Sequence, residues 1–321
     1  MGLEDFLSEW DSECPTLIVH TSGSTGKPKP IVVEKKRMEA SAAATCDFLG
    51  LKGGDTALLC MPLDYIAGKM VVVRSIVRGM KLISVEPSSR PFATLSESPD
   101  FAAVTPMQVF ETMKDARELS LMKGVRQLII GGGAINADMA AMLRTFPNAV
   151  WSTYGMTETL SHVAMRRLSG DNASEWYTPL NGVKVSSDPR GCLVIDAPAV
   201  CPEKLTTNDI AQVECDGAEV RFKIIGRADN TICSGGIKIQ AEEVERLLAD
   251  KLVRPFVVTW TPDAKLGQAV TLVIEANGAA IDIDAIKEIC RDALPKYWIP
   301  RVYKIVDQIP RTETGKLRRK F

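Results

Sequence analysis

Residues 21–29 read TSGSTGKPK, a run of small donors entered from an apolar stretch at 16–20. Gly23 and Gly26 let the backbone turn tightly, so successive amides can point at phosphate oxygens. Thr21, Ser22, Ser24 and Thr25 add hydroxyl donors, and Lys29 supplies a cation beyond them. A Walker-type loop also combines glycines with a lysine, but it continues into a hydroxyl residue and a helix. Here Lys27 is followed by Pro28, and residues 30–33 read as a second strand. The cradle is therefore expected in a hairpin-like turn, with a flexible polar surface loop as the competing reading.

Four further segments carry residues able to do chemistry. In YGMTET, at 154–159, Tyr154 can stack on a purine, Thr157 can bond a phosphate and Glu158 can hold magnesium through oxygen. The same segment reads equally as a helix start with Thr157 and Glu158 as capping residues. Gly131, Gly132 and Gly133 follow an apolar strand, at the carboxyl edge where open α/β sheets bind ligands, or else form a tight strand-to-helix connection. Asp209 and Arg227 can contact ribose hydroxyls or be ordinary surface charges. Asp229 and the glycines at 235–236 follow them. PRTETGK, at 310–316, places Lys316 behind a glycine, where a lysine is usually only solvated.

These residues need a scaffold, and apolar runs at 57–60, 81–85, 101–104, 127–130 and 149–151 supply strands with helical stretches between several of them. Alternation of that kind predicts an α/β fold with a mostly parallel sheet. Helices are expected at 40–48 and, amphipathic, at 69–77, each closing on a glycine, Gly50 and Gly79. After Gly170 shorter runs, as in 181–200, predict a small antiparallel β subdomain. A helix at 240–248, strands at 255–260 and 269–275 and a helix at 283–294 predict a compact α+β terminal domain.

Composition excludes several classes. The 321 residues are 45% hydrophobic, enough for a large core and two domains. With 39 basic against 40 acidic residues there is no field to hold nucleic acid or to press the chain on an anionic membrane. No apolar run approaches the ~20 residues of a spanning helix, and the acidic residues 1–11 lack the order of a signal peptide, so the expectation is a cytoplasmic protein without membrane insertion. The eight cysteines form no CxxC pair, and the only histidines are His20 and His162. If the chain is an enzyme, charge stabilisation must then come from Lys, Arg, backbone amides and a carboxylate-held metal. His20, ending a strand, reads as structural.

The joint order of TSGSTGKPK, GGG, YGMTET, TND, GRADNTICSGG and PRTETGK resembles the adenylate-forming superfamily of acyl-CoA synthetases, luciferases and peptide-synthetase adenylation domains, from Thr16 to the C-terminus. The resemblance implies ATP, Mg²⁺ and coenzyme A, with a small carboxylic acid as substrate; a homodimer is left open. By it, Thr21, Ser22, Gly23, Ser24, Thr25, Gly26 and Lys29 handle the β and γ phosphates. Tyr154 lies against adenine with Gly132 and Gly133 nearby, Thr157 touches the α phosphate and Glu158 carries the metal. Asp209 and Arg227 hold the ribose, and Lys316 reaches both carboxylate and α phosphate. It also implies a core domain at 1–226 and a mobile C-terminal domain at 227–321 that turns about a hinge near Asp229 between the two half-reactions.

Two departures from the pattern stand out. Superfamily members carry a long region before the phosphate loop, whereas here the loop starts at Thr21, so part of the acyl pocket or nucleotide cover is expected to be absent, supplied by a partner or dispensed with. In PLDYIAG, at 62–68, Tyr65 stands where many synthetases have histidine, either as an aromatic wall or as core. Within the superfamily, PLDYIAGKM and YGMTETLSHVAMR are most similar to the o-succinylbenzoate-CoA ligases of menaquinone biosynthesis. Such an acid keeps a second carboxylate, for which Lys69, Arg74 and His162 are candidates; alternatively the two cations are solvated and the histidine only packs. Other readings are a different acyl-CoA synthetase, a domain that loads a carrier protein, or an inactive nucleotide-binding paralogue. No carrier sequence follows Phe321, and Lys316 and Glu158 are both present, which leans against the last two.

Overall fold

The computed structural model describes residues 1–20, 30–133, 135–217, 219–311 and 319, without the side chains of His20, Ala137 and Asp216. The chain forms two compact units, Met1–Val185 with Ile195–Leu205 and Val213–Phe222, and Ser186–Val194 with Thr206–Gln212 and Lys223–Phe321.

The first unit opens with α1 (Leu3–Asp11), a helix not expected from the sequence, which buries Phe6 and Trp10 one turn apart. β1 (Thr16–His20) and β2 (Pro30–Glu34) pair antiparallel, His20 opposite Pro30; residues 21–29 lie outside the described residues. α2 (Lys35–Leu49) begins earlier than its apolar pattern suggested and buries Met38, Ala42, Thr45, Cys46 and Leu49, the stripe of a one-sided helix. β3 (Thr56–Leu59) leads to α3 (Ile66–Arg78). Both α2 and α3 stop where Gly50 and Gly79 take left-handed φ of 63° and 65°.

α3 departs from the amphipathic expectation. Every residue from Gly68 to Ser75 is buried, so Lys69 and Arg74 lie inside the protein rather than in solvent. β4 (Lys81–Ser84), β5 (Phe101–Val104), α4 (Pro106–Thr112), α5 (Ala116–Gly124), β6 (Gln127–Ile130), α6 (Ala137–Arg144), β7 (Ala149–Gly155), β8 (His162–Arg167) and β9 (Thr178–Pro179) follow. Side-chain caps start α4, through Thr105 with Gln108, α5, through Asp115, and α6, through Asn136.

The seven strands order as β4-β3-β5-β6-β7-β8-β9. The ladders from β4 to β7 are parallel and those from β7 to β9 antiparallel. Chain order reverses between β3 and β5, the kind of switch point beside which open sheets bind ligands at their carboxyl edge. Leu58, Ala102, Leu128 and Val150, one from each of four neighbouring strands, share a core with Phe92, Val109, Met122, Leu143 and Phe146.

β10 (Lys184–Ser187), β11 (Cys192–Asp196), β12 (Leu205–Asp216) and β13 (Glu219–Arg227) make a four-stranded sheet in sequential order, the order of a meander. In the second unit β14 (Thr231–Ser234), β15 (Ile237–Gln240), α7 (Ala241–Leu248), β16 (Phe256–Asp263), β17 (Gly267–Glu275), α8 (Ile283–Ala293) and β18 (Val302–Val306) close an α+β layer. Strands run β15-β14-β17-β16, with β18 parallel to β17. Ile232, Val244, Leu248, Val258, Leu272 and Cys290 fill its core. All eight cysteines are free thiols, and no helix among the described residues is long and apolar enough to cross a membrane.

Candidate functional site

The parallel strands deliver their following loops to one edge of the sheet. Residues 62–68 follow β3, Thr105 follows β5, Gly131 to Gly133 follow β6, and Tyr154 to Thr159 end β7. Gly132 turns at φ 80°, and a Cβ on it would come within 4.0 Å of the Thr105 methyl. Tyr154 and Gly155 are the last residues of β7 itself, so the strand holds the tyrosine directly. Tyr65, 44% exposed at the start of α3, is not core.

Tyr154 packs its edge on two aromatics far away in sequence, Phe222 at 5.3 Å and Tyr177 at 5.8 Å, which are themselves stacked. The Tyr177 hydroxyl meets Ser152 Oγ at 2.9 Å. A half-buried ring braced in this way is positioned for stacking at low entropy cost. Neither Tyr177 nor Phe222 belongs to a motif, and nothing in the sequence marks them.

Thr157, Glu158 and Thr159 form one turn of 3₁₀ helix, and it is Thr159 that caps it, through Met156. Thr157 and Glu158 are thus not the capping residues, and their side chains make no hydrogen bond or ion pair to the described residues. Glu158 is exposed. Among the described residues there is no group of three or more acidic, His or Cys side chains able to hold a metal. A single unpaired carboxylate fits magnesium, which takes one or two protein carboxylates and completes its shell with water and substrate phosphates.

Inside the first unit Arg74 is 2% exposed. One guanidinium nitrogen donates to Ser161 Oγ at 2.7 Å, while Nε has no partner. Ser161 Oγ stands 3.3 Å from His162 Nδ1, His162 Nε2 stands 2.9 Å from Thr45 Oγ1, and Thr45 Oγ1 donates to the Ser41 carbonyl at 3.0 Å. Because Thr45 spends its proton on that carbonyl, His162 must donate from Nε2, leaving Nδ1 to accept from Ser161. This order of bonds is that of a neutral imidazole; a protonated ring would aim a second donor, beside Arg74, at Ser161 Oγ. Burial, and then the charge of Arg74, hold His162 well below its ordinary value. No carboxylate among the described residues pairs with Arg74, and burial pushes its pKa down to about 10. Lys69, by contrast, is committed to α1, 3.7 Å from Glu9 and over the Phe6 ring. A cavity of about 70 Å³ borders His162 and Ser41, whose Oγ is also unpaired.

In the second unit Asp209 on β12 and Arg227 at the end of β13 meet at 3.1 Å, and Arg227 also reaches Asp229 at 3.1 Å. The two ribose candidates are therefore neighbours. Thr21, Ser22, Gly23, Ser24, Thr25, Gly26, Lys29 and Lys316 lie outside the described residues.

Known proteins resemble this chain in sequence and fold. The AMP-binding enzyme family matches residues 5–196, and the AMP-binding enzyme C-terminal domain matches 244–316. The chain belongs to the AMP-binding enzyme family. A 2-succinylbenzoate–CoA ligase of Listeria monocytogenes is 26% identical over 98% of this chain and 71% of its own length. An acyl-CoA synthetase (AMP-forming)/AMP-acid ligase II-like protein of Dyadobacter fermentans superposes with a TM-score of 0.68 at 36% identity, over 98% of this chain and 90% of that one. The O-succinylbenzoate coenzyme A synthetase of Bacillus subtilis, in complex with ATP and magnesium, shares the fold with a TM-score of 0.74 at 20% identity, over 94% and 68%. The fold class expected from the sequence is thus that of this family, and its chemistry is AMP-forming ligation of an acid.

Proposed function

We propose that this AMP-binding enzyme is an ATP-dependent acid–CoA ligase whose acid is o-succinylbenzoate, and that it works in the cytoplasm. The observation that carries the choice of acid is Arg74: a buried guanidinium with an unpaired Nε and no carboxylate partner among the described residues. A buried cation is costly without an anion, and a substrate with a second carboxylate provides one. His162, held neutral, supports the serine that orients the guanidinium. The acid named for the Listeria and Bacillus relatives has that second carboxylate.

On this reading Tyr154 lies against adenine with Gly132 and Gly133 beside it, and Asp209 and Arg227 bind the ribose hydroxyls. Thr21, Ser22, Ser24, Thr25 and Lys29 hold the outgoing phosphates, and Thr157 donates to the α phosphate. Glu158 would hold Mg²⁺, which when bound offsets phosphate charge. The reacting carboxylate oxygen forms a bond to the α phosphorus as the bond to pyrophosphate breaks. Lys316 neutralises the charge that grows on the phosphoryl oxygens. Residues 227–321 then turn about Asp229, and the coenzyme A thiolate attacks the acyl carbonyl, expelling AMP.

The test is ATP-dependent pyrophosphate release over a panel of carboxylic acids, each with and without coenzyme A. Turnover with o-succinylbenzoate is the expected result; turnover confined to another acid would discard the substrate and keep the chemistry. Lys316→Ala should lower adenylation by about 100-fold or more while still converting supplied acyl adenylate to thioester. Equal loss of both halves would contradict the division of labour.

A further inference from the structure

Arg319 lies three residues beyond Lys316. Three peptide links reach no further than about 11 Å, so whatever fixes Arg319 limits where the lysine backbone can go. Arg319 is held on four sides. Its guanidinium forms a two-pronged ion pair with Glu245, one prong at 2.8 Å, and also donates to the Val258 carbonyl at 2.8 Å. Glu242 stands 3.7 Å away, and the Arg319 carbonyl accepts from Thr259 Oγ1 at 2.8 Å. Glu245 completes its own shell by accepting from the Val258 amide at 2.7 Å. Both acidic residues lie one turn apart on α7, and the arginine side chain is only 18% exposed.

Glu242 does a second thing. Its carboxylate accepts from Asn230 Nδ2 and from Gln240 Nε2, and Gln240 Nε2 also donates to the Arg227 carbonyl at 2.8 Å. A Cβ on Gly226 would stand 2.5 Å from both Gln240 Nε2 and Glu242 Oε2, so the strand end lies directly against this pair. One carboxylate therefore touches the segment 226–230, which the functional reading uses as hinge, and the arginine that follows the lysine.

We propose that Arg319 is a positioning residue for adenylation: clamped on α7, it limits where Lys316, three residues before it, can act, and its partner Glu242 also touches the segment 226–230. The inference rests on the proposed role of Lys316. A bidentate guanidinium–carboxylate pair sets orientation as well as distance, which a lysine cannot reproduce. The clamp acts through Lys316 alone, so it affects the half-reaction that uses the lysine and spares the other.

The experiment compares the full-length wild type, Arg319→Gln, Arg319→Lys, Glu245→Gln, Lys316→Ala and the Arg319→Gln/Lys316→Ala double variant in both half-reactions. Arg319→Gln and Glu245→Gln should lower the kcat of pyrophosphate release by about 10- to 100-fold, as misplacement of a catalytic group does. Thioester formation from supplied acyl adenylate should stay within about twofold of wild type, and Arg319→Lys should recover only part of the loss. The double variant should be no slower in adenylation than Lys316→Ala alone, because both changes act through one group. Multiplied losses in the double variant, or equal loss of both half-reactions by Arg319→Gln, would reduce Arg319 to a general structural role and overturn the proposal. Wild-type adenylation by Arg319→Gln would overturn it as well. If Lys316→Ala itself adenylates normally, the functional reading fails, and this inference fails with it.

Discussion

Two arginines sit inside this protein under opposite conditions. Arg319 meets two carboxylates and a carbonyl; burial works against its charge, but Glu245 and Glu242 outweigh that and hold it above the ordinary arginine range. Arg74 meets a serine and no carboxylate among the described residues, and burial pulls its pKa down to about 10. A charge satisfied by its own chain contributes to the position of the backbone that bears it. A charge left unsatisfied costs folding energy and is retained where something else binds to it. The first arginine therefore reads as a clamp and the second as a receptor.

The strongest way to break this contrast is to disturb what orients Arg74. Gly155 lies against the chain at 161–162, where a Cβ would stand 2.3 Å from the Ser161 carbonyl oxygen and 2.4 Å from His162 Cα. Gly155→Ala should therefore destabilise the fold by about 2–4 kcal/mol and displace Ser161, measured as a fall in the denaturant midpoint. An unchanged midpoint would mean that the turn after β7 yields easily.

Removing the receptor charge should matter less for folding and more for substrate. Arg74→Ala is expected to lower kcat/KM for o-succinylbenzoate by about 10- to 100-fold, the worth of a charge-assisted hydrogen bond, with little change for a monocarboxylic acid. Equal losses for both acids would show that Arg74 has no part in choosing the second carboxylate.

The smallest effect is on pH dependence. His162 is held neutral when folded, well below the 6.5 it has when exposed. As pH falls through about 6.5 the unfolded chain binds a proton that the folded chain refuses, so this contribution to stability is complete above that range and is lost below it. Unfolding free energy measured between pH 7.5 and 5 should decline more steeply for wild type than for His162→Gln. Equal slopes would mean that the imidazole accepts a proton in place, and the bond order assigned between Ser161 and Thr45 would be wrong.

The elements that carry the residues proposed for the nucleotide were legible in the sequence because their signals are local. Glycines end α2 and α3, three glycines follow β6, and YGMTET closes β7, each a short pattern with a direct backbone cause. The surroundings of the residues proposed for the acid were harder to read. Lys69 and Arg74 occur in a helix whose residues alternate enough to look one-sided, and no local pattern says that both sides will be covered. α1 carried its own signal, Phe6 and Trp10 at helical spacing, but so few apolar residues in an acidic run do not specify a partner. The contacts that brace Tyr154 join residues far apart in sequence, from strands whose pairing the chain order alone does not fix.

The change from parallel to antiparallel within the seven-stranded sheet also sets an order of assembly. β7 and β8 are neighbours in sequence, and Tyr154 faces Ala164 across a short turn, whereas Ala57 on β3 must wait for Phe101. Closing a short loop costs less entropy than closing a long one, and contacts distant in sequence form late. As the chain leaves the ribosome, the strand that carries the tyrosine can pair as soon as its neighbour emerges. The parallel pairs, closed over longer stretches of chain, form more slowly, and the seven-stranded sheet is completed around that hairpin.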